Sequence, residues 1–291
     1  MQKDDRVVYL TQTGDEVSRY FNIPEKNTSL LMLGKGSSIT DSAARKLAAS
    51  NVVVGFCGSG GSPLFSSVDL AFLTPQSEYR PTEYMQKWAC KWFVETNRIQ
   101  MAKALINFRI DECKAAWKKN SRLTTERIDF PQDLANRFRV ATGNAESTQA
   151  ILIAEAAWAK GLYAHLAKAF MIENFTRNAG DKSTSSTADR VNSFMDHGNY
   201  LAYGLASVAL NGLGISYSFP LLHGKTRRGA LVFDVADIIK DAYVMPCSFE
   251  FGCNKKGSEK DFRSALIERF HTGNALDIMF NTIKQIALKE V

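Results

Sequence analysis

Apolar and β-branched residues come in short runs at the start of the chain and in long helical stripes after it. Arg6 to Leu10 and Val17 to Phe21 read as two strands separated by the turn signal Thr13-Gly14-Asp15-Glu16. Ser29 to Leu33 and Asn51 to Phe56 are further strand-like runs, with a helix between them capped by Thr40 or Asp41 and ending near Ala49. A glycine-rich turn from Gly58 to Gly61 follows, and Pro63-Leu64-Phe65 resumes extended structure. Past Thr74-Pro75 the period changes. Glu83 to Lys118 contains neither Pro nor Gly, and Trp88, Trp92, Met101, Leu105 and Phe108 recur at helical spacing. Residues 120–145 are polar and broken by Pro131, which predicts irregular structure. Thr148 to Met171 is a strongly apolar helix, Arg177 to Arg190 a polar loop, and Val191 to Leu213 a helix weakened by Gly198 and Gly204. Helices near 231–244, 258–271 and 275–289 complete the pattern. The expected class is α+β, with a small N-terminal β-rich domain over 1–76 and a larger α-helical domain over 77–291.

Charge and cysteine usage narrow the classes. The chain carries 36 Lys/Arg against 30 Asp/Glu, a net +6, mild evidence for a polyanionic partner. Residues 80–130 concentrate it, with eleven basic residues against six acidic ones. The five cysteines are an odd number and include no CxxC or Cys/His cluster of zinc spacing. No run approaches the ~18 apolar residues of a membrane span. The opening residues MQKDDRVVYL contain no apolar signal core. The expected setting is the cytoplasm, with reduced thiols and no membrane partner. Neither Gly34-Lys35-Gly36-Ser37-Ser38 nor Gly58-Ser59-Gly60-Gly61-Ser62-Pro63 has the spacing of a nucleotide-binding loop.

The candidate chemistry lies between His223 and Asp241. If the apolar segment there is helical, Asp234, Asp237 and Asp241 fall at i, i+3 and i+7 on one face, where like charges repel. A cation relieves that repulsion. Carboxylate oxygens with one imidazole suit Mg²⁺ or Mn²⁺, whereas closed zinc sites recruit thiolates or several histidines. Glu155 is the second unusual residue, a carboxylate in the apolar run Ile151 to Trp158, where an ionised group needs a partner or a metal. Lys225, Arg227 and Arg228 add positive charge on which a DNA phosphate can rest. His197, beside Gly198-Asn199-Tyr200, is a candidate neighbour of the site.

Three longer stretches make the chain resemble the CRISPR-associated integrase family, the metal-dependent subunit of spacer acquisition, and its I-F subtype in particular. They are Leu73 to Tyr84, Asp196 to Gly204 and Leu222 to Asp241. The resemblance implies an N-terminal β-domain and a C-terminal helical domain. It implies a metal site made by Glu155, His223 and Asp237, with Asp234 beside them in the catalytic group. Ala156 stands where the family usually has Gly after its Glu. It also implies a homodimer, two of which flank a small ferredoxin-like adaptation partner, in this subtype fused to the interference helicase-nuclease. The implied substrate is double-stranded DNA, both protospacer and CRISPR repeat. The implied reaction is attack of a protospacer 3′-hydroxyl on a repeat phosphodiester, with endonuclease activity from the same apparatus. Two other readings fit the residues alone. One is a stand-alone metal-dependent nuclease or branched-DNA resolvase. The other is a non-catalytic DNA-binding scaffold.

Overall fold

β-branched and aromatic residues in RVVYLTQ and SRYFNI form the first two long strands, β2 (Arg6–Gln12) and β3 (Ser18–Ile23). The computed structural model describes residues 2–3, 6–12, 18–34, 36–56, 82–178, 185–224, 229–254 and 257–289. β2 and β3 pair antiparallel with Val7 opposite Ile23 and Tyr9 opposite Phe21, and the short β1 (Gln2–Lys3) joins the far edge of β2. β4 (Leu30–Leu33) and β5 (Val53–Phe56) pair in parallel, a geometry that two residues of turn cannot bridge. The crossover is α1 (Asp41–Ala49), whose N-cap Thr40 accepts a hydrogen bond from the Ala43 backbone N–H. Val7, Leu33, Ala43, Leu47, Val52 and Val54 form the core of this unit.

The chain divides into Met1–Arg80 and Pro81–Val291. The Gly58–Gly61 turn, the Pro63–Phe65 segment and most of Leu73–Tyr84 lie outside the described residues.

The second unit is helical throughout its described residues. The helical stretch expected from Glu83 to Lys118 forms two helices, α2 (Glu83–Trp92) and α3 (Glu95–Lys119), parted where Val94 turns extended. Residues 120–145 are not irregular. Asn120 Oδ1 accepts from the backbone N–H groups of Arg122 and Leu123 and starts α4 (Ser121–Thr125). Pro131 sits at the N-cap of α5 (Gln132–Gly143) rather than inside a helix, so it starts one instead of breaking it. Ala135, Phe138 and Thr142 then bury one face of α5. α6 (Thr148–Ala169) follows its N-cap Ser147, and α7 (Thr187–Gly212) opens on a reciprocal capping box of Ser186 and Asp189.

Gly229, in the left-handed region at φ 72°, precedes α8 (Ala230–Ile239). That helix runs through a π-helical turn, Lys240–Val244, into α9 (Met245–Cys253). Pro246 has no N–H for the carbonyl four residues earlier and its ring crowds that carbonyl, which accounts for the widened turn just before it. α10 (Glu259–Thr272) and α11 (Ala275–Leu288) close the unit. α3 supplies Ile99, Leu105, Ile106, Ile110, Cys113 and Trp117 to the core, which also buries Trp88, Trp158, Phe249 and Phe262.

The glycines of α7 have a packing reason. A Cβ on Gly198 would stand 2.5 Å from Val244 Cγ1 in the π-helical turn. The glycine lets the two segments approach closely, and that approach outweighs its helix-weakening entropy. No helix among the described residues is long and apolar enough to cross a membrane.

Candidate metal centre

Four elements of the helical unit bring charged side chains to one cavity of about 320 Å³. α6 supplies Glu155, α8 supplies Asp237, the segment before α8 supplies His223, and the π-helical turn supplies Lys240 and Asp241. Ile151 and Trp158 turn one face of α6 to the core, and Glu155 lies on that face at 8% exposure, while Ile153, Ala156 and Ala157 are exposed. One ligand atom from each of Glu155, His223 and Asp237 lies within 4.8 Å of the others. His223 Nε2 stands 3.8 Å from Glu155 Oε2. The structure therefore brings together the three residues that the sequence singled out.

Asp234 faces the other way. Its carboxylate accepts from the backbone N–H groups of Leu221, Leu222 and His223 at 2.6, 3.1 and 3.2 Å. It also takes a hydrogen bond from His223 Nδ1 at 2.7 Å. Those four donors fill its acceptor capacity. With Nδ1 bearing the proton, His223 presents Nε2 to the cavity as a ligand atom. Asp234 thus sits behind the imidazole and fixes its ring and tautomer.

Two cations that sequence reasoning did not single out complete the cluster. Arg109 of α3 is 4% exposed. Its Nη1 donates to Glu155 Oε1 at 2.5 Å and lies 3.6 Å from Asp237 Oδ2, while its Nε donates to Asp241 Oδ2 at 2.6 Å. Lys240 Nζ donates to Asp237 Oδ1 at 2.5 Å and lies 5.5 Å from the Tyr203 ring centroid. The repulsion expected along the aspartate face is therefore relieved in part by the protein itself. Sequence did carry one signal for Arg109. It occupies the same stripe as the buried Leu105, Ile106, Ile110 and Cys113.

Burial and charge pull these groups in opposite directions. Burial raises the Glu155 carboxyl above its ordinary range, despite the opposing pull of Arg109. At Asp237 burial also acts upward, but Lys240, Arg109 and His223 outweigh it and hold the carboxyl well below its ordinary range. Burial works against a charged His223, yet the Asp234 hydrogen bond and the nearby Asp237 and Glu155 raise it. Burial likewise opposes the charge of Arg109, and Asp241, Asp237 and Glu155 more than restore it.

Three carboxylates, Glu155, Asp237 and Asp241, thus face two permanent cations and one imidazole, which leaves residual negative charge at the cavity. Two carboxylate oxygens and an imidazole nitrogen, with no thiolate in the group, fit a hard divalent cation better than a closed zinc site.

Lys225, Arg227 and Arg228 lie outside the described residues. His197 is buried against α10, with Nε2 3.7 Å from a Glu259 oxygen, and does not line the cavity. Its neighbour Asn199 does, along with Tyr163 and Met195.

A small β unit followed by a helical unit in which Glu155, His223 and Asp237 could hold a cation defines an α+β protein. The family model described as "CRISPR associated protein Cas1" matches residues 1–281. A CRISPR-associated endonuclease Cas1 of Pectobacterium atrosepticum is 42% identical over 98% of this chain and 88% of its own length. The chain belongs to the Cas1 family. The fold agrees. The structure of TtCas1 in complex with DNA matches with a TM-score of 0.71 at 19% identity, over 99% of this chain and 89% of that one. A chain of a Cas6-RT-Cas1–Cas2 complex matches with a TM-score of 0.64 at 12% identity, over 98% of this chain and 33% of that one.

Proposed function

We propose that Glu155, His223 and Asp237 are the metal ligands and, with Asp234, the catalytic group of a Cas1 integrase of the I-F subtype that uses Mg²⁺ or Mn²⁺. The chain is a CRISPR endonuclease and integrase that performs spacer integration. The observation that carries the site reading is the convergence of the three ligand atoms within 4.8 Å.

The reaction is a transesterification in which a protospacer 3′-hydroxyl displaces one strand of the repeat at a phosphodiester. Glu155, His223 and Asp237 would hold a divalent cation, which would supply Lewis-acid polarisation of the phosphoryl oxygens and a lowered pKa for the attacking hydroxyl. The protein's own residues shape the rest. Asp234 holds His223 in the tautomer that keeps Nε2 toward the cavity. Lys240 and Arg109 keep Asp237 ionised. Lys225, Arg227 and Arg228 contact DNA phosphate and stabilise the charge that develops on the reacting phosphoryl group.

Double-stranded DNA, as protospacer and as repeat, is the substrate, and the DNA complex of a Cas1 of the same fold supports that reading. The partner is a small ferredoxin-like adaptation protein, fused in this subtype to the helicase-nuclease. A Cas1–Cas2 complex that includes a chain of this fold supports such an assembly. The reaction takes place in the cytoplasm.

A homodimer built through the N-terminal unit holds two sites apart, one for each protospacer end. Tyr9, Leu10 and Phe21 are exposed on the β2–β3 sheet, and Tyr9 and Phe21 sit directly opposite each other. So small a unit leaves apolar surface for a second copy to cover. Analytical ultracentrifugation of the full chain at micromolar concentration is expected to give a dimer, and a monomer with and without DNA contradicts it.

The test of the function is an integration assay with a supercoiled repeat plasmid, the partner protein and added Mn²⁺ or Mg²⁺. Wild type is expected to join 3′-hydroxyl ends, and Glu155→Gln to lose both joining and cleavage. Cleavage without joining favours a stand-alone nuclease. DNA binding with no metal-dependent reaction favours a scaffold. Binding measured across a salt series checks the basic trio. Lys225→Ala/Arg227→Ala/Arg228→Ala is expected to flatten the salt dependence, and an unchanged slope removes these residues from the interface.

A further inference from the structure

Asp241 is buried beside the three converging residues without being one of them. It is 3% exposed. Its Oδ2 accepts from Arg109 Nε at 2.6 Å and from Trp158 Nε1 at 2.7 Å, and its backbone carbonyl accepts from Trp117 Nε1 at 2.9 Å. Trp158 thus holds this carboxylate, and Trp117 holds the backbone of the π-helical turn that carries it. The consequence passes through Arg109. The edge of the guanidinium bound to Asp241 fixes where the other edge goes. That other edge, Nη1, meets Glu155 Oε1 at 2.5 Å and Asp237 Oδ2 at 3.6 Å. A divalent cation and Nη1 therefore compete for the same carboxylates.

We propose that Asp241 is a positioning residue that sets the affinity of the Glu155/His223/Asp237 site for a divalent cation by holding and neutralising Arg109. The inference rests on the reading of those three residues as metal ligands. With Asp241 in place, part of the guanidinium charge is spent away from the ligand pair, and their oxygens keep enough negative charge for a cation. With Asp241 neutral, the full charge of Arg109 falls on Glu155 and Asp237, which turn toward it and away from the metal. Trp158 acts one step further back. Its N–H orients the carboxylate, while its ring stacks on Phe138 with centroids 5.3 Å apart.

The test is a Mn²⁺ titration of the full chain without DNA, followed by electron paramagnetic resonance of the free ion, with thermal melting alongside. Asp241→Asn is expected to weaken Mn²⁺ binding about tenfold, the scale found when groups behind metal ligands are removed. Arg109→Met/Asp241→Asn is expected to recover to within about threefold of wild type, because the effect of one residue passes through the other. Trp158→Phe keeps the aromatic contact, loses the hydrogen bond and is expected to weaken binding by a smaller factor. It also carries the test if Asp241→Asn fails to fold.

A merely structural role lowers the melting temperature and leaves the Mn²⁺ titration of folded protein unchanged. That result in both Asp241→Asn and Trp158→Phe overturns the proposal, as does a double variant that binds no better than Asp241→Asn. Glu155→Gln, titrated in parallel, separates the two readings. If it loses Mn²⁺ while Asp241→Asn does not, only the role of Asp241 falls. If it binds Mn²⁺ as wild type does, the metal site itself falls.

Discussion

Asp237→Ala is expected to abolish cleavage and joining of DNA and also to lower stability by about 3 kcal/mol, the scale for removing one partner of a buried ion pair. From sequence alone the opposite sign was expected for stability, since removing one of three aspartates on a helical face should relax repulsion. The structure reverses it. Asp237 contacts Lys240 at 2.5 Å and lies 3.6 Å from Arg109, so its loss leaves one buried and one half-buried cation undercompensated. His223→Ala is expected to abolish the same activities with little change in melting, because Asp234 keeps three backbone donors when the imidazole is gone.

Circular dichroism melts beside the integration assay check both variants. For a chain of this size, the Asp237→Ala deficit corresponds to a melting shift of roughly 5 °C. The sign with pH is fixed too. The Asp237 carboxyl is held below its ordinary range in the folded chain. Its stabilisation is therefore full above the unfolded value of about 3.9 and is lost as pH falls toward the folded value. The melting gap between wild type and Asp237→Ala should be widest at neutral pH and close in strong acid. A gap that grows on acidification, or full activity in either variant, removes Asp237 or His223 from the centre.

Much of this site was legible because its residues break local rules. A carboxylate in Ile151 to Trp158 has no partner within its own helix, and a histidine after Pro220-Leu221-Leu222 followed by spaced aspartates is an unusual string. What sequence could not say was which aspartate does what. Asp234, Asp237 and Asp241 share a helical spacing, yet one holds the imidazole from behind, one faces the cavity and one pins an arginine. The roles of Asp237 and Asp241 depend on Arg109 of α3, which is more than a hundred residues away in the chain. Arg109 was hidden for the same reason, since it is one basic residue among many until distant carboxylates are placed beside it, whereas Lys240 pairs with Asp237 only three residues earlier. In the fold, the strands of the first unit and the long helices followed from local pattern. Residues 120–145 did not, because their polar character and Pro131 read as irregular structure when Asn120 and Pro131 each in fact open a helix.

Gly198→Leu is expected to be among the most damaging single changes away from the ligands. Glycine in the middle of a helix normally costs stability, and the 26-residue α7 would gain about 1 kcal/mol of helix propensity from losing it. The packing decides otherwise. A bare Cβ there would meet Val244 Cγ1 at 2.5 Å, Leu266 Cδ2 at 3.0 Å and Phe262 Cζ at 3.2 Å. Val244 is a stiff β-branched residue in the π-helical turn, so it cannot swing clear, and three further carbons have no space at all. Overpacking of this kind costs about 3 kcal/mol, which exceeds the propensity gain.

The damage should reach function, because Val244 is three residues from Asp241 and four from Lys240, on the turn that carries both. Pushing α7 off that turn also displaces Asn199 and Met195, which line the cavity. The expected result is a melting temperature several degrees lower, together with weaker Mn²⁺ binding in the fraction that remains folded. Gly198→Ala should show both effects to a smaller degree. A Gly198→Leu variant that melts like wild type and titrates Mn²⁺ like wild type would mean that α7 can withdraw from the turn without moving the site.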